Sequence, residues 1–333
     1  VLCQNGYFEI RRTYDADGHA LYEAYLDTEG NLTVTDNTYA VIRRTYLGSD
    51  LVRVQYYGTD SLPVLIKAGY ARVDSTYDDQ HRKLSDEYYG TDDAPILLPK
   101  GYASYTRVLD SAGYVLTQTY YGLDGQITLS TDGYAEIRRT YDAAGHALLT
   151  AWFDASLSPV APSDLYCAME RTYDADGHIL TETYLDAQGE PTLCKKGYAR
   201  IEKTYLPNGK AGSEHYYDTR LTPMAVADGY YGLETDYTDT GLVAEIRYLD
   251  EHDALTLQKN GYAVVQRSYD EDGQMISQTY LDTDQIPVLT ASGYAKMTRA
   301  YDDEWELILK FARMVKKGNR ALCEDFIAQN YSD

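Results

Sequence analysis

From Tyr166 onward the chain alternates apolar-rich runs with short acidic, glycine-containing breaks. Tyr166–Tyr173 and His178–Leu185 are eight-residue runs rich in Tyr, Thr, Ile and Leu, each closed by a break, Asp174–Gly177 and Asp186–Gly189. Runs of this length and content, bounded by Asp/Gly clusters, predict β-strands joined by tight turns. A third run, Glu190–Leu193, is shorter and carries Pro191. Proline has no N–H to give to a ladder, so it belongs at a strand start or edge. The segment reads as a hairpin followed by a short third extended piece.

This pattern repeats along the chain. A leading tyrosine recurs at Tyr7, Tyr39, Tyr70, Tyr102, Tyr134, Tyr166, Tyr198, Tyr230, Tyr262 and Tyr294; eight of the nine intervals are 32 residues and one is 31. A second aromatic file follows seven residues on, from Tyr14 and Tyr46 through Tyr141, Tyr173 and Tyr205 to Tyr301, with Leu109 the exception. A third runs through Tyr25, Tyr56, Tyr88, Tyr120, Trp152, Tyr184, Tyr216, Tyr248 and Tyr280. These files hold 27 of the 36 tyrosines, so the aromatic excess is a repeat and not a bias. Tyr14 to Tyr46 is 32 residues but Tyr25 to Tyr56 is 31, which places the deletion in the turn around Leu47–Asp50. Turns absorb length changes that strands cannot.

A single repeat of this size buries too little to stand alone, so neighbours must supply the rest of its core. The expected fold is all-β: tandem 32-residue β-hairpin repeats stacked as a solenoid, with a C-terminal α-helical cap. Residues 1–302 form the array, about nine full repeats behind a truncated first one, because Val1–Tyr7 matches Thr192–Tyr198, the tail of a repeat. The natural chain is therefore expected to extend upstream. In residues 303–333, Trp305, Leu307, Ile308, Phe311, Ala312 and Val315 follow helical spacing, with Lys310, Arg313, Lys316, Lys317 and Arg320 among them. A cap over the last repeat is the first expectation there; a helix docking a protein partner or a membrane surface is the alternative.

Charge removes several function classes. With 52 acidic against 30 basic side chains the net charge is −22, which disfavours nucleic acid as a partner. No stretch approaches the ~20 apolar residues of a membrane helix.

Candidate chemistry is thin. Asp15–Gly18, Asp174–Gly177 and Asp270–Gly273 suggest calcium loops, but placing Gly18 at the sixth position of an EF-hand puts Thr13 first and Ala24 twelfth, where oxygen ligands are required. Hairpin turns explain these residues better. His19, His146 and His178 share one phase after the turn and read as solvated turn exits; no third ligand and no nucleophile sits at a recognisable spacing. The four cysteines form no disulfide framework. No cofactor, metal or catalytic residue is expected. A cation lies five residues after most leading tyrosines, at Arg12, Arg44, Arg107, Arg139, Arg171, Lys203, Arg267 and Arg299. Strand alternation puts it on the face of the second tyrosine.

Gly133–Asp142 followed by Gly145 resembles the YD repeats of Rhs-type proteins, and the Gly-Tyr starts with aromatic hairpins resemble cell-wall-binding and clostridial-toxin carbohydrate-binding repeats. The resemblance spans residues 1–302. It implies a casing or surface fibre in the first case and glycan recognition in the second; the 32-residue period is longer than either group's usual unit, and the scarcity of Trp argues against a choline cage.

The functional expectation is a non-catalytic module at a bacterial cell surface or cell wall that binds glycan through Tyr/Arg faces. The candidate ligand-binding residues are Tyr134, Arg139, Tyr141, Trp152, Arg171, Tyr173, Tyr184 and Tyr198. The alternative is a structural spacer or casing without a small-molecule ligand, or a scaffold appended to an upstream enzyme. Buried aromatic files and paired arginines would favour that alternative.

Overall fold

The computed structural model describes residues 5–162, 164–299 and 301, and the chain divides into two compact units, Val1–Val226 and Ala227–Asp333. The N-terminal unit holds seven hairpins among its described residues: β1–β2 (Glu9–Tyr14, Ala20–Leu26), β3–β4 (Val41–Leu47, Asp50–Tyr57), β5–β6 (Arg72–Tyr77, Lys83–Tyr89), β7–β8 (Ser104–Leu109, Val115–Tyr121), β9–β10 (Glu136–Tyr141, Ala147–Phe153), β11–β12 (Ala168–Tyr173, Ile179–Leu185) and β13–β14 (Arg200–Tyr205, Ala211–Tyr217). The C-terminal unit holds β15–β16 (Gly232–Tyr237, Val243–Leu249), β17–β18 (Val264–Tyr269, Met275–Leu281) and β19 (Lys296–Thr298). Residues 303–333, where the helical cap is expected, lie outside the described residues.

All pairing among the described strands is antiparallel. Within a hairpin the ladder is long, as in β11–β12 from Ala168↔Leu185 to Tyr173↔Ile179, with a bulge just before the second tyrosine. Between hairpins it is short: β12 meets β13 through Thr181↔Glu202, Glu182↔Ile201 and Thr183↔Arg200. Within each unit, repeats therefore join edge to edge, and each hairpin satisfies the backbone of the next.

The turns follow from their residues. Asp174 Oδ1 accepts the N–H groups of Asp176 and His178 at 3.0 and 2.9 Å, and Gly177 adopts φ +86°. The side chain mimics a backbone turn while glycine supplies the left-handed residue. The shortened repeat absorbs its missing residue at the expected place, where β3 and β4 meet through Leu47↔Asp50 with only Gly48 and Ser49 between them.

The third segment is a single bridge: Pro191 pairs with Leu185, and Thr192 donates its N–H to the Tyr184 carbonyl at 2.9 Å. Pro63, Pro95, Pro159 and Pro223 make the same bridge in their repeats. The core is correspondingly thin. Its most buried members are the alanines after the leading tyrosines, Ala40, Ala71, Ala135 and Ala199, all 0% exposed. Small side chains there let the tyrosine rings close over the backbone.

Candidate functional site

The first and third aromatic files alternate as rungs of one ladder. In the N-terminal unit ring contacts run Tyr7, Tyr25, Tyr39, Tyr56, Tyr70, Tyr88, Tyr102, Tyr120 to Tyr134, with centroids 4.5 to 6.3 Å apart. They resume from Trp152 through Tyr166, Tyr184 and Tyr198 to Tyr216. The C-terminal unit carries its own ladder from Tyr230 to Tyr294. Tilted and edge-on rings at these distances are the favourable aromatic geometry. Tyr25, Tyr88, Tyr120, Tyr184, Tyr198 and Tyr216 are buried.

Burial shapes the phenol chemistry. Desolvation raises the pKa of Tyr25, Tyr56, Tyr88 and Tyr184 above the ordinary tyrosine value, and hydrogen bonds to Glu23 and Glu182 add to this at Tyr25 and Tyr184. Burial pushes Tyr198 up to about 12. A phenol held neutral in this way is a hydrogen-bond donor to its neighbour.

The second file has a different task. Tyr173 stacks on His146 and donates its hydroxyl to the Ala147 carbonyl at 2.9 Å; Tyr141 stacks on Tyr114 and donates to the Val115 carbonyl at 3.0 Å. Tyr77, Tyr205 and Tyr269 make the same backbone bond, each to the residue 26 positions back. Each ring thus ties one hairpin to the one before it.

The histidines correct an expectation. His19, His146 and His178 are not solvated turn exits: their side chains are only 26 to 32% exposed. Each Nδ1 lies 2.9 Å from an aspartate four residues earlier, and each ring stacks on a tyrosine of the next repeat. The backbone N–H of His19 and the ring of His146 hold Asp15 and Asp142 below the usual carboxylate range. Candidate ligand atoms of Asp15, Asp17 and His19, and of Asp174, Asp176 and His178, lie within 4.8 Å of one another. The Oδ1 atoms of Asp15 and Asp174 already accept turn N–H groups, and their Oδ2 atoms meet the imidazoles. These groups build turns.

Several members of the cation file pair across their own hairpins. Arg12 meets Glu23 at 2.6 Å, Arg171 meets Glu182 at 2.6 Å and Lys203 meets Glu214 at 3.0 Å. Arg107 and Arg267 donate to Gln118 and Gln278 at 2.8 and 2.9 Å. Ser75 replaces the cation in the third repeat and donates to buried Asp86, which also accepts the Tyr105 hydroxyl at 2.7 Å.

Of the candidate residues, Tyr184 and Tyr198 are buried rungs in mutual contact, with centroids 6.0 Å apart. Tyr141 and Tyr173 are inter-repeat clamps, and Arg171 is ion-paired. Arg139 and Trp152 lie on β9 and β10, where Arg139 faces Thr150 and Trp152 faces Ile137, and Tyr134 sits just before β9. Repeat five thus sets a neutral partner against its arginine at the point where one ladder series ends and the next begins.

The opposite face of the sheet carries groups that pattern reading missed. Thr140, Leu148, Leu149, Glu170, Thr172, Thr181, Thr183 and Arg200 line a shallow groove across β9–β13, which Arg171 of the cation file also reaches. Arg43, Arg72 and Arg138 lie over the rings of Tyr57, Tyr89 and Phe153 at 4.8, 3.7 and 4.0 Å on that face. The available signal was the alternate set of strand positions, such as Arg138 and Thr140 between Ile137, Arg139 and Tyr141. Among the described residues, no helix is long and apolar enough to cross a membrane.

No family model matches this chain, and no curated protein does. Among solved structures it is similar to the crystal structure of TcdB2-TccC3-TEV, with 17% identity over 88% of this chain and 14% of that one, at a TM-score of 0.41. It is also similar to the Photorhabdus luminescens Tc holotoxin pore, with 17% identity over 88% of this chain and 15% of that one, at 0.38. A porin-like protein from Bacteroides uniformis gives 12% identity over 68% of this chain and 88% of that one, at 0.17. The chain spans about one seventh of the length of the two Tc chains.

Proposed function

We propose that this chain is a non-catalytic structural module, a spacer or casing segment whose repeats serve chiefly to extend and stiffen the sheet. The observation that carries the reading is the internal use of its two conspicuous files. Ladder tyrosines contact one another, and the cations of β1, β11 and β13 pair with carboxylates of their own hairpins. Side chains consumed this way supply rigidity and leave little unspent for a ligand.

The test is deletion of one whole repeat, residues 166–197. A structural array keeps its cooperative unfolding and shortens by about two strand spacings, roughly 10 Å, in small-angle scattering. Loss of folding on deleting one complete repeat counts against a modular spacer.

A second reading, glycan binding at a cell surface, is favoured by one place. On β9–β10, Arg139 faces a threonine instead of a carboxylate, with Trp152 two residues beyond that threonine on the same strand. Saturable binding on a glycan array that is lost in both R139A and W152A, with the fold unchanged, supports this reading over the spacer. Binding unaffected by either substitution, or none at all, removes it.

A further inference from the structure

We infer that Trp152, Tyr166 and Tyr184 form a radical relay. A small diffusible one-electron oxidant takes its electron from the indole, and the oxidised site then moves through Tyr166 to the Tyr184 phenol. The inference uses only contacts within the ladder and the carboxylate beside it, so it stands apart from the role proposed above.

The third aromatic file is tyrosine at every place but one. Trp152 is the exception, in a chain with only 2 tryptophans. Indole and phenol are the aromatic side chains that give up a single electron most readily. Trp152 is half-buried, so an oxidant arriving from solvent can reach it. Its ring centroid lies 5.8 Å from that of Tyr166, which lies 4.6 Å from that of Tyr184. Rings at these separations are in contact, so an electron crosses from each π system to the next without a gap.

The oxidised site comes to rest where a phenol can also release its proton. A buried phenol that loses an electron alone becomes a cation in a low-dielectric surrounding, which is costly. The phenolate offers no easier path at Tyr184: desolvation and the Glu182 hydrogen bond hold its proton far above the ordinary tyrosine range. The proton and the electron must therefore leave together. Tyr184 is 7% exposed and donates its hydroxyl to Glu182 Oε1, while Arg171 Nε donates to Oε2 at 2.6 Å. The guanidinium fixes the carboxylate with one oxygen turned to the phenol.

The step balances as follows. The oxidant removes one electron from Trp152, and the indole N–H proton passes to water. The neutral indolyl radical then regains an electron from Tyr184 by way of Tyr166, and a proton from water. Tyr184 gives its proton to Glu182 and becomes a neutral phenoxyl radical; Glu182 becomes a carboxylic acid.

Other rungs supply the contrast. Gln118 and Gln278 hold the place of Glu182 before Tyr120 and Tyr280, and their amides donate to those phenols, Gln118 at 2.7 Å. An amide N–H in that position cannot take a proton. Arg107 and Arg267 still donate to these glutamines at 2.8 and 2.9 Å, so E182Q reproduces an arrangement the fold already contains.

The test is pulse radiolysis of the full chain with the azide radical, which oxidises indole in preference to phenol at neutral pH. W305F supplies the background, leaving Trp152 the sole indole, and circular dichroism checks each fold. The indolyl absorbance should decay as phenoxyl absorbance grows, at one first-order rate independent of protein concentration. Y166F keeps a ring in the middle place but not an oxidisable one, and should slow that rate at least tenfold. E182Q should slow it at least fivefold, and Y184F, which removes the final site outright, should slow it as much. Y56F, a rung outside the route, should leave it unchanged. Indolyl decay without phenoxyl growth overturns the inference, as does a rate that scales with protein concentration. So does a rate indifferent to Y166F, or to both E182Q and Y184F, or one slowed equally by Y56F.

Discussion

The ring of Tyr173 stacks 4.7 Å from that of His146, one repeat earlier, while the Tyr173 hydroxyl reaches past it to the carbonyl of Ala147 at 2.9 Å. The same relation joins Tyr205 to His178 and the Ile179 carbonyl. It is the side-chain counterpart of the short backbone ladder between hairpins, and it makes each repeat's stability a property of its neighbour.

Removing the clamp hydroxyl should be measurable on its own. Y173F keeps the stacked ring and loses one hydrogen bond, so it should cost about 1 kcal/mol, the net worth of a typical bond. Urea unfolding checks this. A double-mutant cycle with H146A should give a coupling energy of at least ~0.5 kcal/mol, as expected for residues in contact.

The turn glycines separate strain from collision. Gly177 (φ +86°) would place a Cβ 2.9 Å from His146 Nε2, whereas Gly189 (φ +83°) has nothing within 4 Å. G189A should cost roughly 1–2 kcal/mol, the penalty of a left-handed alanine. G177A should cost more, and H146A should recover only the excess. Equal losses at both sites would show that the imidazole yields freely.

Buried Glu23 is the acceptor for Arg12 at 2.6 Å and for the Tyr25 hydroxyl, and Arg44 lies 3.9 Å away. E23A leaves that phenol and those guanidiniums without a carboxylate. It should destabilise the first two repeats by about 1–3 kcal/mol, the cost of stranded buried polar groups. Hydrogen exchange across β1–β4 should rise more than exchange in β11–β14.

The ladder predicts an alkaline transition. Burial raises Tyr25, Tyr56, Tyr88 and Tyr184 above the ordinary tyrosine value of 10.0, so the folded chain holds their protons more tightly than the unfolded chain. Their contribution is complete below pH 10 and is lost as pH rises above it. Phenolate absorbance from these rings and loss of the β-sheet circular dichroism should therefore appear together. At the acid end the sign reverses. Asp15 and Asp142 are lowered from 3.8, so their contribution is present above that pH and lost as pH falls below it.

Much of this architecture was legible because periodicity multiplies weak signals. Tyr134 alone says little; ten tyrosines in its phase assign it a place. The Asp-x-x-Gly breaks declared their turns because only a few residue types satisfy a tight turn, and Pro191 declared its edge. The histidines were misread because the ring that covers His146 belongs to Tyr173, 27 residues on in another repeat, and nothing local announces that contact. The candidate site was legible only as a set of files. Tyr184 and Arg171 occupy the phases expected of them, but their exposure and partners depend on which strands lie side by side.

The amino-acid sequence by itself determined the repeat, its period, its strands and turns, and the side of each strand on which each residue sits, since these follow from local conformational preference and a two-residue alternation. Only the tertiary structure decided how those faces are used. The register between hairpins rests on three residue pairs, and it sets whether a phenol meets another ring, a backbone carbonyl or water. That register turned the conspicuous tyrosines into fasteners between repeats and set several of the arginines against carboxylates of their own hairpins.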